Sequence, residues 1–436
     1  MEERFRDACR DGNVRKVKKC LANKHFDVNY PFDLTPFCIA CEKGHVEIVK
    51  LLLNDERVDV NKRGHTTPFY IACEKGHIDV VRLLLDDERV DVNKSNSDGL
   101  TPLHVTCKEG HIEIVKLLLN DKRVKIQQST NSGTTPIFLA CYFGYFEIVK
   151  LLLNDQRTDI NKENMNETTP FFLACQEGYF EIVKLLLNDQ KVDVQKQDRF
   201  DRSPFYISCD KGQIEIVKLL LNDERIDINK VNNGGKTPFF VACQEGQLEV
   251  VKLLLNDERI DLNKTNYEGD TPFSIACNNE HIEIVKLFLN NQEVDLNQAK
   301  CNDLIPIYCK DTTPLHIACY LGHIEIVKLL GNDKRVDINK TNVYHQTPLH
   351  IACLETQSEI VAYLLANGRE INLYAKDGQR KTAIDIAREG KEQGDWGNKE
   401  RKRKYEKIVE LFESFEKNPI ETRIKLRIQF GLPGKI

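Results

Sequence analysis

A Thr-Pro dipeptide followed by a large apolar residue recurs at a fixed interval along most of this chain. It begins at Thr35, Thr67, Thr101, Thr135, Thr169, Thr237, Thr271, Thr313 and Thr347, with Ser203 standing in once and Thr382 opening a degenerate copy. Six consecutive steps from Thr67 to Thr271 are 34 residues each. Self-similarity at that period means stacked supersecondary units, each too small to bury a core alone. The length of 436 residues therefore need not be divided into two or three globular domains, because such arrays grow by stacking rather than by enlarging one core.

One unit, from Asp98 to Leu119, shows how the pattern folds locally. Thr101 caps a helix and Pro102 suits its first turn, where the missing N–H had no partner. Gly110 ends that helix, since glycine enters a left-handed turn without a steric penalty. A second helix follows, with Ile112, Val115, Leu118 and Leu119 as its apolar stripe. The charged linker and the turn-rich stretch before the next Thr-Pro read as a β-hairpin finger.

This unit resembles the ankyrin repeat, whose signature TPLHIAC…GHIEIVKLLL runs nearly verbatim from Thr313 to Leu330. The tetratricopeptide repeat shares the period but lacks the Thr-Pro start and a finger carrying Asp59-Val60-Asn61. The resemblance covers about residues 2–415, or twelve units. It implies an all-α solenoid of helix-turn-helix units with hairpin fingers, stacked into a curved rod. It also implies partner contacts on the concave face and the fingers.

Ten of the fifteen cysteines, among them Cys41, Cys73, Cys107 and Cys353, sit five residues after the repeat's proline. One thiol per unit at one register is a small buried residue rather than half of a disulfide, so reduced thiols and a cytoplasmic setting are expected, with a nuclear one possible. The first residues lack an apolar run, and no segment approaches the roughly 18 residues that span a membrane. The formal charge of -5 is modest, but residues 391–436 carry twelve Lys/Arg against eight Asp/Glu, which leaves about -9 on the rest. No nucleic acid partner and no membrane insertion follow from this balance.

The chain is expected to divide into an N-terminal capping repeat (1–29), repeats over 30–300, further repeats after an elongated finger (301–380), a C-terminal capping repeat with a charged insertion (381–417) and a short tail (418–436). Lys16 and Lys19 replace apolar positions of the first unit's second helix, as an outermost helix requires. Asn418-Pro419-Ile420-Glu421 reads as a helix start. The alternation from Arg423 to Phe430 favours a strand, and the balance falls to a short amphipathic helix. The run Lys399–Lys407 is either a targeting patch or the solvated start of a capping helix.

Catalysis requires polar groups converging from different elements, and here the register accounts for nearly every His, Cys and Asp. His104, His316 and His350 hold the TPLH position, which in ankyrin repeats bonds neighbouring fingers. Cys38 and Cys41 form a C-x-x-C with no second copy, and a zinc set of Cys301, Cys309, His316 and Cys319 is undercut by the recurrence of its last two members at His350 and Cys353. No phosphate loop or nucleophile elbow is present. A monomeric, non-catalytic scaffold without cofactor or metal is expected.

The sharper question is where a protein partner sits. The two residues after the repeat cysteine are polar in most units but read Tyr142-Phe143 and Tyr320-Leu321 in two of them. Large exposed apolar groups are what interface hot spots are made of; local packing is the competing reading for Phe143, through Tyr145 and Phe146. The step from Thr271 to Thr313 is 42 residues, and its extra finger residues include Leu304, Ile305, Ile307 and Tyr308. An apolar finger is either a contact site or the cover of a seam. It adjoins Glu280, which replaces a helix-ending glycine, as Thr356 does later.

Overall fold

The computed structural model describes residues 1–30, 34–62, 66–299, 311–393 and 399–432. Among them are twenty-five helices and no strand. The chain divides into two compact units, Met1–Pro204 with Asp223–Ile226, and Phe205–Asn222 with Asp227–Ile436. Within each, the first helices of successive repeats pack on one another in one layer and the second helices in another.

The first helices begin as the Thr-Pro pairs require. In Pro68–Glu74 the Thr67 hydroxyl accepts the Tyr70 N–H at 3.1 Å, and every residue from Pro68 to Cys73 is buried. Burying a residue such as Phe69 or Ile71 contributes about 1.5–3 kcal/mol, so these short helices are held by packing rather than by propensity. Pro102–Glu109 stops at Gly110, whose φ of 79° is left-handed. At the equivalent stop Glu280 and Thr356 both take φ 57°, a conformation that costs a residue with a Cβ about 1 kcal/mol or more.

The second helices bury a slightly different stripe from the one anticipated. In Ile112–Asn120 the buried residues are Ile114, Val115 and Leu118, while Ile112 and Leu119 are half-buried. The two-layer packing selects adjacent residues 114 and 115 plus one a turn later, which rotates the face away from Ile112.

The fully described fingers are closed turns, several of them linked by single backbone bonds rather than strand ladders. The Asn96 N–H donates to the Leu100 carbonyl at 2.9 Å, and the next finger's Asn131 N–H donates to Asp98 at 3.0 Å. Below the tips runs a chain of amide bridges: Asn61 donates to the Arg89 carbonyl at 2.6 Å and accepts the Asp91 N–H at 2.8 Å. At Gln127 the bridge is missing, and its buried Oε1 has no partner.

A second fastening was not apparent from the repeat pattern. Arg89 pairs with Asp87 at 2.6 Å and donates to the Leu53 carbonyl, the end of the preceding second helix, at 2.7 Å. Arg57, Arg123, Arg157, Arg225, Arg259 and Arg335 do the same. Each arginine thus satisfies a carbonyl that a helix end leaves open and ties one repeat to the next. Its hydrogen bond holds the paired aspartate, Asp55 or Asp87 for example, below the usual carboxylate range. Lys191 and Glu293 stand where two of these arginines would be.

At the C-terminal end, Ala383–Gln393 is followed by the long helix Lys399–Lys417, which buries Tyr405, Ile408, Val409, Phe412 and Phe415. The basic run therefore lies on a helix, with Arg401, Lys402, Arg403 and Lys404 exposed. Residues 419–429 are helical, and Asn418 accepts the Glu421 N–H at 3.2 Å. The alternation that suggested a strand resolves into two opposite i, i+4 pairs. Leu426 and Phe430 turn inward, with Phe430 5.6 Å from the Tyr363 ring, while Ile424 and Ile428 face solvent. Arg427 fastens this helix to the carbonyls of Ala366 and Asn367 at 3.2 Å.

Candidate partner-binding surface

The TPLH histidines are structural. His104 Nδ1 accepts the Thr101 N–H at 3.1 Å, so Nε2 carries the proton and donates to the Thr134 carbonyl of the next finger at 3.0 Å. His316 and His350 repeat this with Gln346 and Lys381. Burial lowers His104 and His316 to about 4, since a charged imidazole there would lose its hydration. Both ring nitrogens of His316 are in use, which leaves none for a zinc ion. Cys301 and Cys309, the other members of that set, lie outside the described residues.

The histidines that start second helices reach back to the preceding repeat. His77 Nε2 meets the Glu42 carbonyl at 2.8 Å, and its ring lies over Gly44, where a Cβ would come within 2.7 Å. Tyr145 covers Gly110 and Tyr179 covers Gly144 in the same way. The glycine is thus required twice, for its left-handed turn and for the ring above it. Where Glu280 replaces the glycine, its carboxylate lies 3.3 Å from His323 Nδ1.

The register cysteines are free and buried. Burial raises the Cys41, Cys209 and Cys243 thiols well above the ordinary value and pushes Cys9 up to about 12, the opposite of what a nucleophilic thiolate needs. Cys38 is fully buried as well, with its Sγ 3.8 Å from the Lys62 and Thr66 carbonyls. Among the described residues no group of His, Cys, Asp or Glu is arranged to hold a metal, and no helix is long and apolar enough to cross a membrane.

Both apolar pairs singled out in the sequence are exposed. Tyr142 and Phe143 are 46% and 37% accessible, Tyr320 and Leu321 58% and 41%. Their surroundings differ. Tyr142 stands edge-on to Phe143 with centroids 4.9 Å apart, and Phe143 stacks on Tyr145 at 6.3 Å. This trio supplies part of its own cover. The outer side of Tyr142 borders a 330 Å³ cavity that also holds Asp198, Arg199, Phe200 and Arg202. Arg202 is tied to the buried Asp198 at 2.6 Å, and Arg199 lies over the Phe200 ring at 4.8 Å.

Among the described residues Tyr320 and Leu321 have no such aromatic cluster. They close the helix Pro314–Leu321 and border a 350 Å³ cavity with Ile317, Tyr344, Ile351 and Leu354. The apolar finger residues Leu304, Ile305, Ile307 and Tyr308 fall outside the described residues. Missed at the sequence level was Tyr344, a finger residue 37% exposed that joins Tyr320 only because consecutive fingers hang over consecutive first helices.

Comparison with known families agrees with the geometry. The family described as Ankyrin repeats (3 copies) matches residues 5–96, 88–164, 156–232, 224–300, 259–342 and 296–377. The chain belongs to the ankyrin-repeat family. No curated protein matches it. Ankyrin repeats are generally protein–protein interaction modules and are typically non-catalytic.

Proposed function

We propose that this chain is a non-catalytic scaffold or adaptor that holds a protein partner on its first-helix ends and fingers, with Tyr320 and Leu321 as the anchor. The observation that carries the reading is the exposed Tyr320–Leu321 pair beside an apolar cavity of 350 Å³. Apolar surface of that shape is unfavourable in water and is a common element of interface cores. The polar groups that would otherwise suggest chemistry are occupied by the repeat's own bonding, which supports a scaffold without cofactor or metal. Free, buried thiols support a reducing, cytoplasmic setting, and a monomer binding in trans is the simplest arrangement.

The exposed cations at 401–404 favour a second reading, in which this helix directs the scaffold to a nucleus, an anionic membrane or a larger complex. Affinity capture of the partner with the full chain, repeated with Leu321→Lys, tests the first reading: the partner is lost while the melting temperature stays put. Loss of cellular position without loss of the partner, on replacing Arg401, Lys402, Arg403 and Lys404 by Gln, would favour the second.

A further inference from the structure

The cavity beside Tyr320 has a chemical bias that narrows what fills it. Its apolar walls are Ile317, Leu321, Ile351 and Leu354 together with the rings of Tyr320 and Tyr344; the polar residues between them are uncharged except Glu355, the only charged lining residue among the described ones. Glu355 enters no ion pair among the described residues. Arg401 donates to the adjoining Leu354 carbonyl at 3.4 Å.

A carboxylate left uncompensated at the edge of an apolar cavity is a stronger lure for a cation than one in open water, because the low-dielectric walls screen it less. Two tyrosine faces add cation–π attraction for the same guest. A volume of 350 Å³ is near the lower end of ligand pockets, about 300–1,000 Å³, and suits one or two side chains rather than a folded element.

Resting on the reading of Tyr320–Leu321 as a partner contact, we propose that this cavity receives an apolar side chain of a partner peptide whose neighbouring Lys or Arg pairs with Glu355. An acidic neighbour would be repelled, so the site discriminates by sign as well as by shape. The Tyr142 cavity, with Arg199 and Arg202 facing one Asp198, lacks this bias and serves as the control.

The test is selection of a phage-displayed random twelve-residue peptide library on the full chain, followed by anisotropy measurements on the peptides recovered. Peptides whose binding Leu321→Lys abolishes are expected to place an aromatic or aliphatic residue beside Lys or Arg. Glu355→Gln, a substitution at the cavity edge that leaves the melting temperature unchanged, should weaken them about fivefold, and Glu355→Lys should weaken them further. Tyr142→Lys with Phe143→Glu should leave them unaffected.

Selected peptides with no basic neighbour, or with affinity indifferent to Glu355→Gln, would overturn the proposal. So would recovery of no peptide sensitive to Leu321→Lys; if a captured protein partner were still lost with that variant, the contact site would stand while its assigned chemistry fell. A concentration-dependent dimer abolished by Leu321→Lys would overturn it too, by making a second copy of this chain the occupant. Peptides and partner both indifferent to Leu321→Lys would remove the site itself.

Discussion

Tyr142–Phe143 and Tyr320–Leu321 occupy the same register of two repeats and are exposed to similar degrees, yet their neighbours give them different work. Phe143 lies between Tyr142 and Tyr145, ring to ring, so much of its apolar surface is satisfied within its own repeat. Tyr320 and Leu321 lie instead beside a mainly apolar cavity that their own repeat shares with the next repeat and its finger. Exposure alone does not identify a binding residue; what a side chain lacks around it does. The first pair is an internal aromatic cluster with one open side, and the second is the better anchor.

The largest effect expected from perturbing this comparison is structural. His316 forms part of the lining of the second cavity and holds both the Thr313 N–H and the Gln346 carbonyl. His316→Ala strands buried polar groups and should cost about 3 kcal/mol in urea unfolding. The same histidine makes the fold acid-sensitive. Its folded pKa is about 4, below the ordinary 6.5, so the unfolded chain binds the extra proton first. The stabilisation is complete above pH 6.5 and is lost as pH falls toward 4. His104 behaves alike in the first unit, and unfolding monitored from pH 7 to 4 should show both.

Next in size is the effect on the partner. Leu321→Lys should cost at least about 2 kcal/mol of partner affinity, the threshold of a hot spot, with no change in melting temperature. Tyr142→Lys combined with Phe143→Glu should do the reverse. Loss of the aromatic pair costs about 1 kcal/mol of stability, and affinity changes little. If instead the second variant melts normally and loses the partner, the ranking of the two pairs is inverted.

The smallest effect concerns the repeat that precedes the second pair. Glu280 adopts a left-handed conformation beside the second pair, and Glu293 stands where other repeats place their arginine. Hydrogen exchange should therefore be faster at residues 278–290 than at 238–254. Glu280→Gly should recover about 0.5–1 kcal/mol, because the contact with His323 that it gives up is partly exposed and contributes little.

Much of this fold was legible because each repeat writes its own punctuation. Thr-Pro starts a helix, glycine stops it, and a thiol or histidine at a fixed register is buried where the period says. The tail helix was legible from Asn418 and Pro419 despite the alternating residues that follow. What escaped were relations between repeats. The arginine fastening joins residues 36 to 46 positions apart, and a linker reading Asp-x-Arg does not reveal which carbonyl it will meet. Likewise both exposed pairs look alike in sequence; only the ring packing around Phe143 and the placement of Tyr344 beside Tyr320 tell them apart.

The most direct test of that distinction is hydroxyl-radical footprinting of the full chain, free and bound to its captured partner, read by mass spectrometry at Tyr142, Phe143, Tyr320 and Leu321. Protection of Tyr320 and Leu321 on binding, with Tyr142 and Phe143 oxidised as before, is the predicted result. Protection of Tyr142 and Phe143 while Tyr320 and Leu321 stay fully reactive would contradict it.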